Sequence, residues 1–462
     1  MPVQEYDALI IGTGQGGTPL SKKLAKAGWK TAIVERAAIG GTCINTGCTP
    51  TKTLIASARA AYVVAHARQW GVEVDGYHIH LPEMLKRKQE VVDMFRTGTE
   101  KGFGKTDGLT VIKGTASFTG PKEVTVTTAE GEKMVCTAKK IFINAGCTAA
   151  VPEVEGISGV TYYTAASMME VQVVPEHLII IGSGYIGLEF GQLYRRLGSK
   201  VTILEKSKRI LAKEDEDTAE EMENILTGEG VVFSKSTTVL KATEVDGKVT
   251  LTVKEGENEK VLEGTHLLIA AGRKPAVEQL NLAAAGVSTD EKGFIKVDEL
   301  LQTSAPDIYA LGDVKGGPQF THIAYNDYII LYNNLVKDKH YSTRERIVPY
   351  CVFTDPQLGR AGITEKEARE KGLPYKVVKF PGKNIARAIE SGDTRGWMKA
   401  VINTSDDTLL GVAIIGEQGG EVMSVMQMAM LGNIKWPQLR ETIFAHPLYA
   451  ESINNLFMQL DA

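Results

Sequence analysis

The feature that most constrains this chain is a unit that occurs twice. Tyr6-Asp-Ala-Leu-Ile-Ile11 reads as a short buried strand running into Gly12-Thr-Gly14-Gln-Gly-Gly17, then a helix through Ala27, then a strand from Lys30 to Val34 closed by Glu35. His177-Leu-Ile-Ile-Ile181, Gly182-Ser-Gly184-Tyr-Ile-Gly187, a helix to about Leu197 and a strand from Lys200 to Leu204 closed by Glu205 repeat it. In each copy 23 positions separate the first glycine from the acid. Glycines so placed let backbone approach a pyrophosphate at a helix N-terminus, and the acid accepts from a ribose hydroxyl. One copy is weak evidence; two predict two nucleotide-binding domains.

The remainder must fill a chain of 462 residues, too long for one core, so about two to four domains are expected. A net charge of -4 gives no electrostatic case for nucleic acid or an anionic membrane. No basic-then-apolar leader and no membrane-length apolar run is present, and the five cysteines are too sparse for a secreted disulfide scaffold, so the expectation is cytoplasmic. Between the two units, Leu81 to Thr97 reads as a helix, followed by strand-like runs at Leu109–Ile112, Val124–Thr128, Met134–Ala138 and Lys140–Asn144. His78 and His80 read as surface residues, and no metal ligands are expected. Glu214 to Asp217, with Glu220, Glu221 and Glu223, reads as the solvated face of a helix. Strands follow from Thr237 to Val261, then Leu267 to Pro275 as a strand leaving a domain. Asp307-Ile-Tyr-Ala-Leu-Gly-Asp313 is a further buried strand, and an acid at such a carboxyl end points into a ligand crevice. After the charged stretch Lys337–Arg346, strands at Lys376–Phe380, Trp397–Asn403 and Leu409–Ile415 alternate with helices at Glu421–Leu431 and Pro437–Thr442.

Gly40-Gly-Thr42-Cys43-Ile-Asn-Thr-Gly47-Cys48-Thr-Pro-Thr-Lys52 carries the second constraint. Two cysteines five positions apart can form a local disulfide where Gly47 allows a bend, can be unrelated buried thiols, or can be half of a zinc site. No second Cys/His cluster follows, and the pair begins just after the first fingerprint, so a redox-active disulfide beside a cofactor is the better reading. Cys136, Cys147 and Cys351 read as ordinary buried thiols.

Together, the twin fingerprints, Gly-Gly-Thr42-Cys43-x4-Cys48-x-Pro-x-Lys52, Leu311-Gly-Asp313 and Phe444-Ala-His446-Pro447-Leu-Tyr-Ala-Glu451 resemble the class I FAD-dependent pyridine nucleotide–disulfide oxidoreductases. That group includes glutathione reductase, dihydrolipoyl dehydrogenase and mercuric reductase. The resemblance implies an α/β fold with two Rossmann-like FAD- and NAD(P)-binding domains plus a C-terminal α+β dimerisation domain. The expected boundaries are 1–150 (FAD), 151–274 (NAD(P)), 275–345 (FAD continued) and 346–462 (dimerisation). It implies FAD binding by Gly12, Gly14, Gly17, Glu35, Thr42, Lys52, Gly146 and Asp313. NAD(P) binding falls to Gly182, Gly184, Tyr185, Gly187, Glu205 and Gly272. Cys48 would face the flavin and Cys43 the substrate; Lys52 and Glu189 would pair beside the flavin. Tyr185 would be a gate that covers the flavin until nicotinamide enters. His446, oriented by Glu451, would be the acid–base group, acting on the other subunit of a homodimer.

The implied activity passes electrons from NAD(P)H through FAD and the Cys43–Cys48 disulfide to a small disulfide, an oxidised sulfur compound or a soft metal ion. The pattern is most similar to mercuric-reductase-like flavoproteins. Mercuric reductases carry a C-terminal cysteine pair that Leu456–Ala462 lacks, so mercury detoxification is not implied. Glu205 favours NADH over NADPH by accepting from the ribose 2'-hydroxyl, but Lys206, Lys208 and Arg209 can tolerate a 2'-phosphate, so the expected preference is modest. Leu448 stands where the family has threonine or serine, and Tyr449 adds bulk, which bears on the substrate mouth. Dihydrolipoyl dehydrogenase is the enzyme alternative; a low-turnover FAD-binding redox sensor is the alternative of another class.

Overall fold

The computed structural model describes residues 3–461. They gather into two compact units. One holds the chain up to Thr53 with Leu85–Ala150 and Gly272–Arg346; the other holds Leu54–Met84, Val151–Ala271 and the chain from Ile347 onward.

In the first unit a seven-stranded sheet runs Leu109–Lys113, Thr31–Glu35, Val3–Ile11, Lys133–Ile143, Glu123–Thr127, Thr115–Gly120, with Ile308–Ala310 also pairing Lys133–Ile143. Val3–Ile11 is parallel to both neighbours, with Ile11 opposite Val34 and opposite Ile143. Ala8, Ile10, Ile33 and Phe142 face Leu20 and Leu24 of the helix Gly17–Lys26 and Tyr328 and Leu331 of the helix Thr321–Lys337. Leu9, Ile11, Val34 and Ile141 alternate to the other face, against Phe118, Leu280 and Ile308. Burial on both faces is why these strands read as unbroken apolar runs.

In the second unit a parallel sheet runs Val231–Ser234, Lys200–Leu204, His177–Ile181, His266–Ile269, Tyr162–Tyr163. Its first helix, Tyr185–Arg196, follows the second fingerprint. Thr237–Val245, Lys248–Glu255 and Asn258–Gly264 form an antiparallel sheet. The C-terminal part is an antiparallel sheet in the order Tyr350–Val352, Gln357–Gly362, Leu409–Gly416, Trp397–Asn403, Tyr375–Pro381. Val422, Met423 and Met426 from the helix Gly419–Leu431, and Leu456 and Phe457 from Ser452–Met458, share its core.

Several sequence expectations are corrected. Met134–Ala138 and Lys140–Asn144 are one strand, Lys133–Ile143, whose early part is antiparallel to Glu123–Thr127 while its end is parallel to Ile308–Ala310. The charged pair Lys139-Lys140 in its middle does not break it, because the two ammonium groups reach Asp7 and Asp307. The helix expected over Leu81–Thr97 continues to Gly104. The acidic run is not all solvated. Glu216 and Glu220 are exposed, but Glu214 is only 1 % exposed and Asp215 is buried, accepting from the Glu365 and Lys366 amides at 3.0 Å each and from Lys399 Nζ at 3.1 Å. Cys136 and Cys147 are buried as expected, whereas Cys351 is half-buried. His78 and His80 are exposed.

Candidate active site

The first fingerprint builds a backbone cradle. Gly12 has φ +103°, and a Cβ there would lie 2.4 Å from the Asn144 carbonyl oxygen; a Cβ on Gly17 would lie 2.2 Å from the Gly12 carbonyl oxygen. Only glycine fits, and the helix that starts at Gly17 presents its N-terminus there. Glu35 accepts from the Thr13 amide at 2.9 Å, the Thr13 hydroxyl at 2.6 Å and the Ala37 amide at 2.9 Å, so its carboxylate is fixed at the strand end. Asn144 ties this loop to the next: its Oδ1 accepts from the Gly17 amide at 2.8 Å and its Nδ2 donates to the Leu311 carbonyl at 2.9 Å. Gly146, with φ +70°, continues from it. Asp313 pairs with Arg273 at 2.6 Å, and the Gly312 amide donates to Asp327, a fully buried acid also paired with Lys315 and Arg346. Burial holds the Lys315 ammonium below its ordinary pKa despite the opposing charge of Asp327. A cradle that a Cβ would fill, a helix N-terminus and a preset carboxylate fit an ADP-containing cofactor.

The thiol segment lies against this cradle, since a Cβ on Gly41 would be 2.7 Å from the Gly14 Cα. Gly40 and Gly41, at φ +109° and +63°, turn the chain into the short helix Gly41–Asn45, which carries Thr42 and Cys43. Asn45 locks that turn by donating to the Gly41 carbonyl at 2.9 Å and accepting from Arg96 at 2.8 Å. Cys48 then opens an 18-residue helix, Cys48–Ala65, where amide dipoles favour a thiolate. The pair is held as free thiols, Cys43 half-buried and Cys48 exposed. Cys48 Sγ lies 3.3 Å from the Thr321 hydroxyl. The hydrogen bond to Cys48, then burial, then the charge of Cys48 push the Cys43 pKa far up, against smaller opposing effects of Thr321 and Lys52. The upward direction at Cys43 favours keeping a proton on that thiol.

The second fingerprint repeats the first. A Cβ on Gly182 would lie 2.5 Å from the Ala270 carbonyl oxygen and one on Gly187 2.0 Å from that of Gly182, while Gly184 opens on space. Glu205 accepts from the Ser183 amide at 3.1 Å, the Ser183 hydroxyl at 2.5 Å and the Ser207 amide at 2.7 Å. Burial works to raise its pKa, but these donors outweigh burial and hold it below the ordinary carboxylate value. Tyr185 begins the helix, and Glu189, buried one turn on, accepts from the Phe353 amide at 2.9 Å. Lys52 falls in the first unit and Glu189 in the second; Gly272, at φ +146°, opens the last segment of the first unit.

His446 and Glu451 come together. The imidazole Nδ1 sits 2.9 and 3.1 Å from the two carboxylate oxygens, with the histidine side chain 71 % exposed. A carboxylate on Nδ1 fixes the ring and leaves Nε2 for proton transfer. Leu448 is 52 % exposed, but Tyr449 is only 5 % exposed. Its hydroxyl bonds Ser391 at 2.7 Å and Glu417 at 2.8 Å, so its bulk turns into the domain rather than toward a substrate mouth. Asn144, Asp327, Arg273 and Arg96 belong to no motif; the one sequence signal was Asn144, which ends an expected strand beside a fingerprint.

Two dinucleotide cradles combined with a neighbouring dithiol are the parts of an enzyme that moves electron pairs between a nicotinamide, a flavin and sulfur. A family model for pyridine nucleotide-disulphide oxidoreductases matches residues 6–327, and the model of that family's dimerisation domain matches residues 348–457. The chain is 37% identical over 459 residues to RclA of Escherichia coli (strain K12), a "probable pyridine nucleotide-disulfide oxidoreductase", covering 98% of this chain and 99% of that one. It is 32% identical to a mercuric reductase of Staphylococcus aureus (99% of this chain, 83% of that one) and 33% identical to a dihydrolipoyl dehydrogenase of Chlamydia pneumoniae (97% and 95%). A solved structure of the Escherichia coli flavoprotein disulfide reductase RclA, as a copper(II) complex, matches with TM-score 0.91 and 36% identity over 99% of this chain and 100% of that one. The chain belongs to the pyridine nucleotide–disulfide oxidoreductases. It is an NAD(P)H-dependent FAD enzyme of the disulfide- or metal-reducing kind, and its dimerisation domain makes it a homodimer. Among the described residues no helix is long and apolar enough to cross a membrane.

Proposed function

We propose that this enzyme uses NADH in preference to NADPH and reduces a small disulfide, an oxidised sulfur compound or a soft metal ion at Cys43. The observation that carries the reading is the placement of the dithiol, with Cys43 on the glycine-built turn against the first cradle and Cys48 at the N-terminus of the following helix, 3.3 Å from the Thr321 hydroxyl. FAD, when bound, would supply the transfer of two electrons from the nicotinamide to the Cys43–Cys48 disulfide. Cys43 gives its proton to the partner subunit's His446, which Glu451 orients, and its thiolate attacks one sulfur of a disulfide. The departing thiolate takes that proton back, and the Cys48 thiolate attacks the Cys43 sulfur of the mixed disulfide to close the internal disulfide and release the second product as a thiolate, which takes its proton from solvent. Gly12, Gly14, Gly17, Glu35, Thr42, Lys52, Gly146 and Asp313 hold FAD; Gly182, Gly184, Tyr185, Gly187, Glu205 and Gly272 hold the nicotinamide coenzyme; Lys52 with Glu189 tunes the flavin. Glu205, preset by Ser183 and Ser207, supports NADH because a 2'-phosphate would meet a carboxylate. Residues 1–150 and 275–345 form the FAD domain, 151–274 the nicotinamide domain and 346–462 the dimerisation domain.

Copper(II) enters as an acceptor to try because the related RclA structure is a copper(II) complex. The test is anaerobic NADH oxidation with lipoamide, glutathione disulfide, copper(II) and mercury(II) in parallel, for the native protein and Cys43→Ser. Fast turnover lost in the variant supports the thiol route; equal turnover in both rejects it. Turnover with lipoamide alone would make the enzyme a dihydrolipoyl dehydrogenase.

A further inference from the structure

Glu214 reads from sequence as a solvated acid, yet it is buried beneath the second nucleotide module. The turn that delivers it is unusual: Leu211, itself buried, takes φ +44°, and its carbonyl accepts from the Glu214 amide at 2.8 Å. A left-handed leucine is a strained choice that persists only where its surroundings hold it. One Glu214 carboxylate oxygen accepts from the Tyr350 hydroxyl. The other lies 3.0 Å from Nε of Arg360, a guanidinium 3 % exposed whose Nη1 also donates to the Val412 carbonyl at 2.6 Å. Glu214 Oε2 and Arg360 Nε are buried without a hydrogen bond between them, so they pair by charge alone and the Tyr350 hydroxyl is the donor that ties the carboxylate.

Tyr350 in turn holds Tyr185. The rings stack at 5.4 Å between centroids and 29° between planes, and the two phenols share a hydrogen bond. Burial and then the nearby Glu214 charge push the Tyr185 phenol up to about 12, so the hydroxyl stays protonated and able to donate at neutral pH. The chain Tyr185–Tyr350–Glu214–Arg360 thus runs from the first residue after the second glycine of the fingerprint to a buried ion pair.

We propose that Tyr350 is a latch that holds the gate residue Tyr185 in its coenzyme-free position, with Glu214 and Arg360 as its anchor. This rests on the reading of Tyr185 as a gate over the flavin. A nicotinamide must break the Tyr185–Tyr350 stack before it can take its place. The latch therefore lowers the fraction of enzyme competent to bind coenzyme and raises the apparent KM by the same factor, without touching the step that follows. An offset aromatic pair holds a factor of about two to ten.

The experiment compares steady-state NADH kinetics, FAD content and aerobic NADH oxidation without acceptor for the native holoenzyme, Tyr350→Ala, Tyr350→Phe and Tyr185→Ala. Tyr350→Ala is expected to lower KM for NADH about two- to tenfold at unchanged kcat, and to raise the aerobic oxidation rate as the flavin is uncovered. Tyr350→Phe keeps the stack but loses its bonds to Glu214 and Tyr185, and is expected to fall between. Packing damage alone would instead raise KM or lower kcat together with FAD content. If Tyr185→Ala raises aerobic oxidation but KM is unchanged or raised in both Tyr350 variants, the latch is wrong and the gate stands. If Tyr185→Ala leaves aerobic oxidation unchanged, the gate reading fails and the latch with it.

Discussion

Asn144→Ala isolates how much of the first cradle depends on one side chain. Asn144 is buried, and its amide satisfies two groups at once, the Gly17 amide at 2.8 Å and the Leu311 carbonyl at 2.9 Å. Alanine leaves a buried donor and a buried acceptor without this partner, at about 1–3 kcal/mol each, so the expected loss is about 2–6 kcal/mol. For a unit of this size that corresponds to roughly 5–15 °C in the unfolding midpoint. The damage is local to the end of the helix that would face the pyrophosphate, so FAD should leave first. The assay is a thermal ramp of the purified holoenzyme read by flavin fluorescence and by circular dichroism in parallel, with the FAD-to-protein ratio measured beforehand. Asn144→Asp serves as the partner variant. It keeps an acceptor for Gly17 but sets a carboxylate oxygen against the Leu311 carbonyl, so it should be destabilised as well and should recover toward acid pH as the carboxyl gains a proton to donate. The reasoning is refuted if Asn144→Ala releases FAD within about 1 °C of the native enzyme, since that is far below the loss of even one buried hydrogen bond.

Three other expectations follow from the site and its surroundings. His446→Ala should slow disulfide reduction by about 10²–10⁴-fold while leaving flavin bleaching by NADH near native in stopped flow; equal slowing of both half-reactions would remove the histidine from proton transfer. Glu205→Ala should erase most of the preference for NADH, read as the ratio of kcat/KM values for NADH and NADPH; an unchanged ratio would move selectivity elsewhere. Asp215 is opposed by burial, but the Lys366 and Glu365 amides and Lys399 hold its pKa below the ordinary carboxylate value. Its stabilising effect is therefore complete above that ordinary value and fades as pH falls through the lower folded one, so Asp215→Asn should flatten the loss of unfolding temperature below about pH 4. A parallel acid profile for the variant would mean that Asp215 is not linked to folding.

The parts of the fold that sequence rendered well are those whose periodicity and burial agree. His177–Ile181, Lys200–Leu204 and Trp397–Asn403 fall where the apolar runs place them, because they are strands whose local preference and tertiary setting coincide. Gln357–Gly362 escaped because two glycines in Gln-Leu-Gly-Arg-Ala-Gly look like a loop. Its Gly359 is there for packing: a Cβ would lie 2.4 Å from the Gly419 carbonyl oxygen of the helix above. The candidate site divides along the same line. The residues proposed to contact a cofactor or carry a reactive atom sit in spaced motifs, whereas Asn144 and the Glu214–Arg360 pair act through partners far along the chain. No spacing rule reports such partners, and an acid in an acidic run looks solvated until the tyrosine and arginine that bury it are seen.

The matching treatment of the two acids bears on coenzyme choice. Thr13 and Ser183, each the residue after the first glycine, spend both amide and hydroxyl on the acid 22 positions ahead, and the amide two residues past each acid closes on its other oxygen. The two sites proposed for different coenzymes thus share one hydrogen-bond template down to the individual oxygen, so the template itself cannot choose between coenzymes. What distinguishes the two copies lies beyond it, in Gly40–Cys48 after one acid and Lys206–Arg209 after the other. Attempts to exchange the coenzymes of the two halves should graft those downstream loops and leave the glycines alone.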